Sequence, residues 1–232
     1  MSPMSTLIAV FIDPVKAMQA VRERSMIWLP LLLMTVGIAA MMAWYYQMVD
    51  FPWLQDQMLA ASGQTDPKAL EAARGFMSRG FMSSIGLISV LIGIPVMLLL
   101  ISVYYLLAAK VIGNDIGFGK WFAFSTWTAV PTLLAIPLMA VQILMSSNGQ
   151  LAPEALNPLT LNALVFHLPA ANPWAGLLNA INITSLWATV VAIIGYKVWT
   201  AKSTATSAVV VLLPQLVIYA GWAVIAMLRS GA

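Results

Sequence analysis

The sequence predicts an all-α fold, a polytopic membrane helical bundle with five transmembrane helices plus short interfacial helices. Three observations predict it. Hydrophobic residues make up 61% of the chain and charged residues only 8%, against about 25% charged in ordinary soluble domains. The mean hydropathy is +0.90. Five charge-free runs each suit a helix crossing the hydrocarbon core, which takes roughly 20 apolar residues. The 11 Lys and Arg and 8 Asp and Glu side chains cannot clothe a water-soluble surface of this size, so lipid must solvate much of it.

The runs fall at about residues 26–49, 80–109, 121–145, 173–196 and 203–228. The second is the longest and should tilt, kink or begin outside the lipid. Pro95, Pro131, Pro137 and Pro214 lie inside spans. Each frees the carbonyl four residues earlier, at Leu91, Trp127, Leu133 and Val210. Lipid offers no partner, so neighbouring polar groups must serve these carbonyls, and Thr128 and Thr132 are placed to do so.

Residues 1–25 read as a cytoplasmic amphipathic interfacial segment ahead of a five-span domain, 26–232. Met1–Ile12 is apolar but has no basic leading region or small-residue cleavage site, so no signal peptide is expected. Asp13-Pro14 is a helix start, an N-cap acceptor followed by proline at the first helical position. Val15, Met18 and Val21 then share a face, as expected for a helix lying in the headgroup layer. Thr65-Asp66-Pro67 starts another short helix. Asn157-Pro158 opens an apolar stretch closed by Pro169, too short to span and so interfacial or re-entrant. Asn172-Pro173-Trp174 is expected to cap the fourth span, with an aromatic at the membrane edge.

Orientation follows from Lys and Arg. With the N-terminus cytoplasmic, Lys16, Arg22, Arg24, Lys110, Lys120, Lys197 and Lys202 lie inside, against Lys68, Arg74, Arg79 and Arg229 outside. The positive-inside rule then puts the N-terminus in the cytoplasm and the C-terminus outside, and the expected location is the inner (cytoplasmic) membrane.

Several function classes are excluded. Without cysteine, disulfides, thiolate metal sites and cysteine nucleophiles drop out. The single histidine, His167, cannot assemble a zinc site and reads as an interfacial residue. The spans hold no Asp, Glu, Lys, Arg or His, no paired carboxylate and no Ser-His pair, so neither catalysis nor a proton relay has its usual carriers. A net charge of +3 without a basic, aromatic-interleaved stripe argues against nucleic acid. Gly113–Lys120 resembles a phosphate loop only superficially. Its glycine spacing is one residue too long and Trp121 stands where Ser or Thr is needed, so a tight turn is expected. No enzyme activity, cofactor or metal is expected.

Two sets of residues remain as candidate sites. Arg22, Arg24, Lys110, Lys120, Lys197 and Lys202 gather at span ends on one side. They are either snorkelling topology signals or a face for anionic headgroups or a protein partner. Thr128, Pro131, Thr132, Asn182, Ser185 and Thr189 combine a proline-kinked third span with a polar face on the fourth. They either hydrogen-bond between helices or line a cavity.

The order of features resembles the Yip (Ypt-interacting protein) family of five-span membrane proteins, in its short prokaryotic form. The matching pieces begin with Phe11-Ile12-Asp13-Pro14, then Arg22-Glu23-Arg24 leading to Pro30. The Gly113–Lys120 turn runs into Trp121-Phe122-Ala123 and Pro131. Trp187 on the fourth span is followed by Lys202 and a fifth span containing Pro214. Eukaryotic members associate with Rab GTPases and vesicle-budding machinery and carry a long cytosolic N-terminal region. Here about 25 residues precede the first span and the Asp-Leu-Tyr-Gly motif of that branch is missing, so the resemblance does not bring Rab binding with it. The expected function is a non-enzymatic scaffold, adaptor or membrane-organising factor. The alternative is a small transporter or channel component with a cavity between the third and fourth spans. Its partners would be membrane lipids, anionic ones included, or a protein, with a homo-oligomer left open.

Overall fold

Four helices of this chain start with the same device, a small polar N-cap followed within two residues by proline. Ser2 opens α1 (Pro3–Ile12), Asp13 opens α2 (Pro14–Glu23), Asp50 opens α4 (Phe51–Ala61) and Asp66 opens α5 (Pro67–Phe76). In each, the cap side chain accepts a hydrogen bond from a first-turn N–H, which the helix itself cannot satisfy. The computed structural model describes residues 1–231. The remaining helices are α3 (Trp28–Met48), α6 (Arg79–Val111), α7 (Phe118–Thr128), α8 (Ala135–Met145), α9 (Ala175–Ala180), α10 (Ile183–Thr200) and α11 (Thr204–Ser230). No strand forms among the described residues.

Five segments are long and apolar enough to cross a membrane: Trp28–Met48, Arg79–Val111, Phe118–Met145, Ile183–Thr200 and Thr204–Ser230. The chain is therefore an all-α, multi-pass membrane protein. The third span is interrupted by a 3-10 segment, Val130–Leu134, at Pro131, where proline's missing N–H breaks the α ladder. The fourth departs most from expectation, starting at Ile183 instead of Pro173. Ile181 is extended and Asn182 pairs with Thr160 in an isolated bridge. Leu161 N–H donates to the Ile181 carbonyl at 2.7 Å and Ile183 N–H to the Leu159 carbonyl at 3.1 Å. These two bonds satisfy backbone groups that a continuous helix would otherwise have used.

The contacts divide the chain into two units. The first comprises Met1–Thr35, Ile92–Leu133 and Thr184–Gly221. Its core is five rings, Tyr105 from α6, Trp121 and Phe124 from α7, and Tyr196 and Trp199 from α10. Their contacts run from 5.0 Å between Tyr105 and Phe124 to 6.0 Å between Tyr105 and Tyr196. Ala17, Met18 and Val21 of α2 are buried in this core. The apolar face expected to meet lipid thus meets protein, and only Val15 of the expected stripe stays exposed. Gly195 makes the approach possible: a Cβ there would lie 2.8 Å from the Phe124 ring and 2.9 Å from Met18. The Gly113–Lys120 stretch is a turn followed by the first residues of α7. Gly113, at φ 74°, closes α6 with its N–H on the Lys110 carbonyl while Asn114 N–H reaches Ala109, a Schellman pair.

The second unit comprises Val36–Leu91, Leu134–Ile183 and the chain from Trp222. Tyr45, Leu54, Met139, Ile143 and Leu156 are buried in its core. Arg79 donates to the carbonyls of Tyr46, Gln47 and Val49 and lies over the Phe51 ring, its guanidinium carbon 5.4 Å from the centroid. A cation thus caps the C-terminus of α3, where orphan carbonyls and the helix dipole favour it. Gln55 binds the carbonyls of Arg74 and Met77 and so ties α4 to the end of α5. In the stretch expected to be interfacial or re-entrant, Asn162 clamps Leu168 through both its carbonyl and its amide, at 2.9 and 3.0 Å. Leu164, Val165 and Phe166 are left exposed on this turn.

Candidate functional site

Charge is distributed unevenly between the units. The first carries Lys16, Arg22, Arg24, Lys110, Lys120, Lys197 and Lys202 against Asp13, Glu23 and Asp115. The second carries Lys68, Arg74, Arg79 and Arg229 against Asp50, Asp56, Asp66, Glu71 and Glu154. Among the described residues the single ion pair joins Arg74 to Asp56, in the second unit. Every cation of the first unit is without an acidic partner.

All six expected basic-site residues lie in that unit, but in different roles. Lys120 donates its Nζ to the Arg22 carbonyl, one of the orphan acceptors ending α2. Arg22 in turn reaches the Val198 carbonyl, at 3.4 Å, near the end of α10. Two tryptophans complete the attachment of the N-terminal segment. Trp199 donates its indole N–H to the Met18 carbonyl at 2.8 Å. Trp127 donates to the carbonyl of Met26, in the non-helical link to α3. Sequence reasoning did not assign these roles. The available signal was that buried indole N–H groups seek an acceptor, and an irregular link supplies one. Lys197 donates to Thr204 Oγ1 at 2.9 Å. Arg24, Lys110 and Lys202 are exposed.

A second candidate lies among α6, α7, α10 and α11 of the same unit, a cleft of about 200 Å³. It gathers Thr128, Thr132, Ser185 and Thr189 from the expected set. Pro131 is buried without lining it, and Asn182 precedes α10 in the second unit, so it shares no helical face with Ser185. The structure adds Tyr105, Ser125 and Gln215. Gln215, the only side-chain amide of the fifth span, was the readable signal. Its Nε2 donates to Thr189 Oγ1 at 2.9 Å, and Thr189 donates onward to the Ser185 carbonyl at 2.9 Å. Thr128 and Thr132 donate to the carbonyls of Ser125 and Ala129, not to the Trp127 carbonyl expected from Pro131. At the fifth span the proline argument finds its partner across helices: the Tyr104 hydroxyl donates at 2.6 Å to the Val210 carbonyl that Pro214 leaves open.

The chemistry offered is therefore of two kinds. The cleft presents hydroxyl and amide dipoles with no acid, base other than a tyrosine, or metal cage. The basic residues present fixed positive charge at helix ends. Comparison with curated proteins and with solved structures returns no match. The family model described as the Yip1 domain matches residues 8–225, a stretch that contains all five candidate spans except the last turn of α11. The chain belongs to the Yip1 family.

Proposed function

We propose that this protein is a non-enzymatic membrane scaffold or adaptor of the inner (cytoplasmic) membrane. Its N-terminus is cytoplasmic, and the basic face of the first unit binds anionic headgroups or an acidic partner. The observation that carries the reading is the charge distribution: the first unit holds seven cations against three acids, none of them in an ion pair among the described residues, whereas the second holds four cations against five acids. Unpaired cations at the ends of spans are held on the cytoplasmic side and attract acidic surfaces there, at roughly 1 kcal/mol per residue. The test is co-purification in a mild detergent, together with binding to soluble anionic probes. Arg24→Gln with Lys110→Gln should weaken both and flatten their salt dependence. Retention of every partner and lipid by that variant would reduce the basic face to a topology signal.

A second reading, a transporter or channel component, is favoured by one observation, the polar cleft lined by Thr128, Thr132, Ser185, Thr189 and Gln215. It would show as solute-dependent thermal stabilisation that is lost in Gln215→Leu.

A further inference from the structure

Beside the turn joining α10 to α11 lies a cavity of about 510 Å³, within the range of small-molecule sites. Its walls are Val15 of α2 and Ile193, Ile194 and Val198 of α10, and its rim carries Lys197, Lys202 and Thr204. No acid lines it. Ala201, on the same rim, takes the left-handed conformation at φ 54°, which L-residues other than glycine rarely adopt. It lies in the three-residue link between α10 and α11, and Lys197 and Lys202, on either side of it, both line the cavity. Lys197 is bonded to Thr204 at 2.9 Å, in the first turn of α11. The rim thus combines two ammonium groups, a hydroxyl and the positive end of a 27-residue helix.

The chain just ahead of the cavity wall is apolar. Met4, Ile8 and Ile12 of α1 repeat every fourth residue on an uncharged helix and are exposed, and Val15 of the wall, also exposed, follows three residues after Ile12. A free phosphate would gain nothing from such walls, whereas a headgroup that carries its own hydrocarbon matches both rim and wall. We infer that this cavity is a binding site for one anionic phospholipid. Its phosphate sits between Lys197, Lys202 and the start of α11, and its acyl chains run along Ile193, Ile194 and Val198 toward α1. The inference rests on the proposed basic face but assigns the preference to two of its residues. It also gives them a task that Lys120 and Arg22, bound to main-chain carbonyls, do not share.

The full chain is purified and exchanged into mixed micelles containing equal phosphatidylglycerol and phosphatidylcholine, and retained lipid is counted by native mass spectrometry. The wild type should keep one phosphatidylglycerol in preference to phosphatidylcholine. Lys197→Gln with Lys202→Gln should reduce that preference roughly tenfold or more, while Lys68→Gln with Arg229→Gln, the same charge loss outside the basic face, should leave it intact. Ile194→Trp, which fills the wall and keeps every charge, should also lose the bound lipid. A loss in Arg24→Gln with Lys110→Gln, which lie on the basic face but outside the cavity, as large as in the lysine variant would overturn the cavity site while leaving the general basic face standing. No preference in the wild type would overturn the lipid site and leave the basic face only its acidic partner. Glycerol phosphate or inorganic phosphate stabilising the protein as well as the lipid does would overturn the lipid assignment. Thermal unfolding of each variant without added lipid checks that the loss is not misfolding.

Discussion

In the second unit Arg79 sits on three carbonyls at the end of α3, and Arg74 is paired with Asp56. In the first, Lys120 and Arg22 bind single carbonyls, while Arg24, Lys110 and Lys202 remain exposed. The glycines differ in a parallel way. At Gly195, in the first unit, the close neighbours are the side chains of Phe124 and Met18. At Gly149, in the second, φ is 70° and a Cβ would lie 2.7 Å from the Met48 carbonyl oxygen and 2.9 Å from Asp50 N. The second unit therefore spends its special residues on main-chain closure, and the first keeps charge at its surface and adjustable side chains in its core. A cation whose partners are all main-chain carbonyls of its own unit is a structural part. A cation left exposed beside an apolar wall is available to something else.

The two glycines should give the largest effects on detergent thermal unfolding. Gly149→Val should cost about 3 kcal/mol, because a β-branched residue is strained at positive φ and the crowding atoms are backbone. Gly195→Val should cost about 2 kcal/mol by overpacking, and Met18→Ala should recover part of it by removing a flexible neighbour. Equal resistance of both glycine variants to any side-chain truncation would erase the distinction between the units.

Removing cations should sharpen the contrast at a smaller scale. Arg79→Met should lower stability by about 2 kcal/mol, since hydrogen bonds to charged groups are worth roughly 1.5–3 kcal/mol. Arg79→Lys should not restore it, because an ammonium group lacks the planar fork that reaches several carbonyls. Arg24→Gln should change unfolding by less than about 0.5 kcal/mol, as exposed substitutions do. A large loss at Arg24 would show that the first unit also uses its exposed cations for structure.

A single hydrogen bond can be isolated in the same way. Tyr104→Phe should cost about 1–2 kcal/mol by leaving the Val210 carbonyl without its donor. In a Pro214→Ala background the new backbone N–H can serve that carbonyl, so the same change should cost about 0.5 kcal/mol or less. The double-mutant cycle reads the coupling directly. Additive losses would mean that the hydroxyl acts through packing alone.

The membrane class, the number of spans, two helix starts and one helix end were fixed by local physics. Charge-free length sets what lipid will accept, and Asp13-Pro14, Asp66-Pro67 and the capped glycine turn at Gly113 act within a few residues of themselves. The start of α4 at Asp50 obeys the same rule, with its proline displaced by one residue to Pro52. Pro214 showed that the Val210 carbonyl needed a donor, but not that Tyr104, more than a hundred residues away, would supply it. Tertiary structure decided whatever depends on a neighbour distant in the chain. Thr160 pairing with Asn182 moves the fourth span to Ile183, because paired backbone groups no longer need a helix. The aromatic core and Gly195 draw α2 onto protein, so its apolar face is buried there. Arg22 and Lys120 are committed to carbonyls, and Lys197 and Lys202 are gathered at one cavity. All four cations carry the same charge, and only the fold tells a cap from a rim.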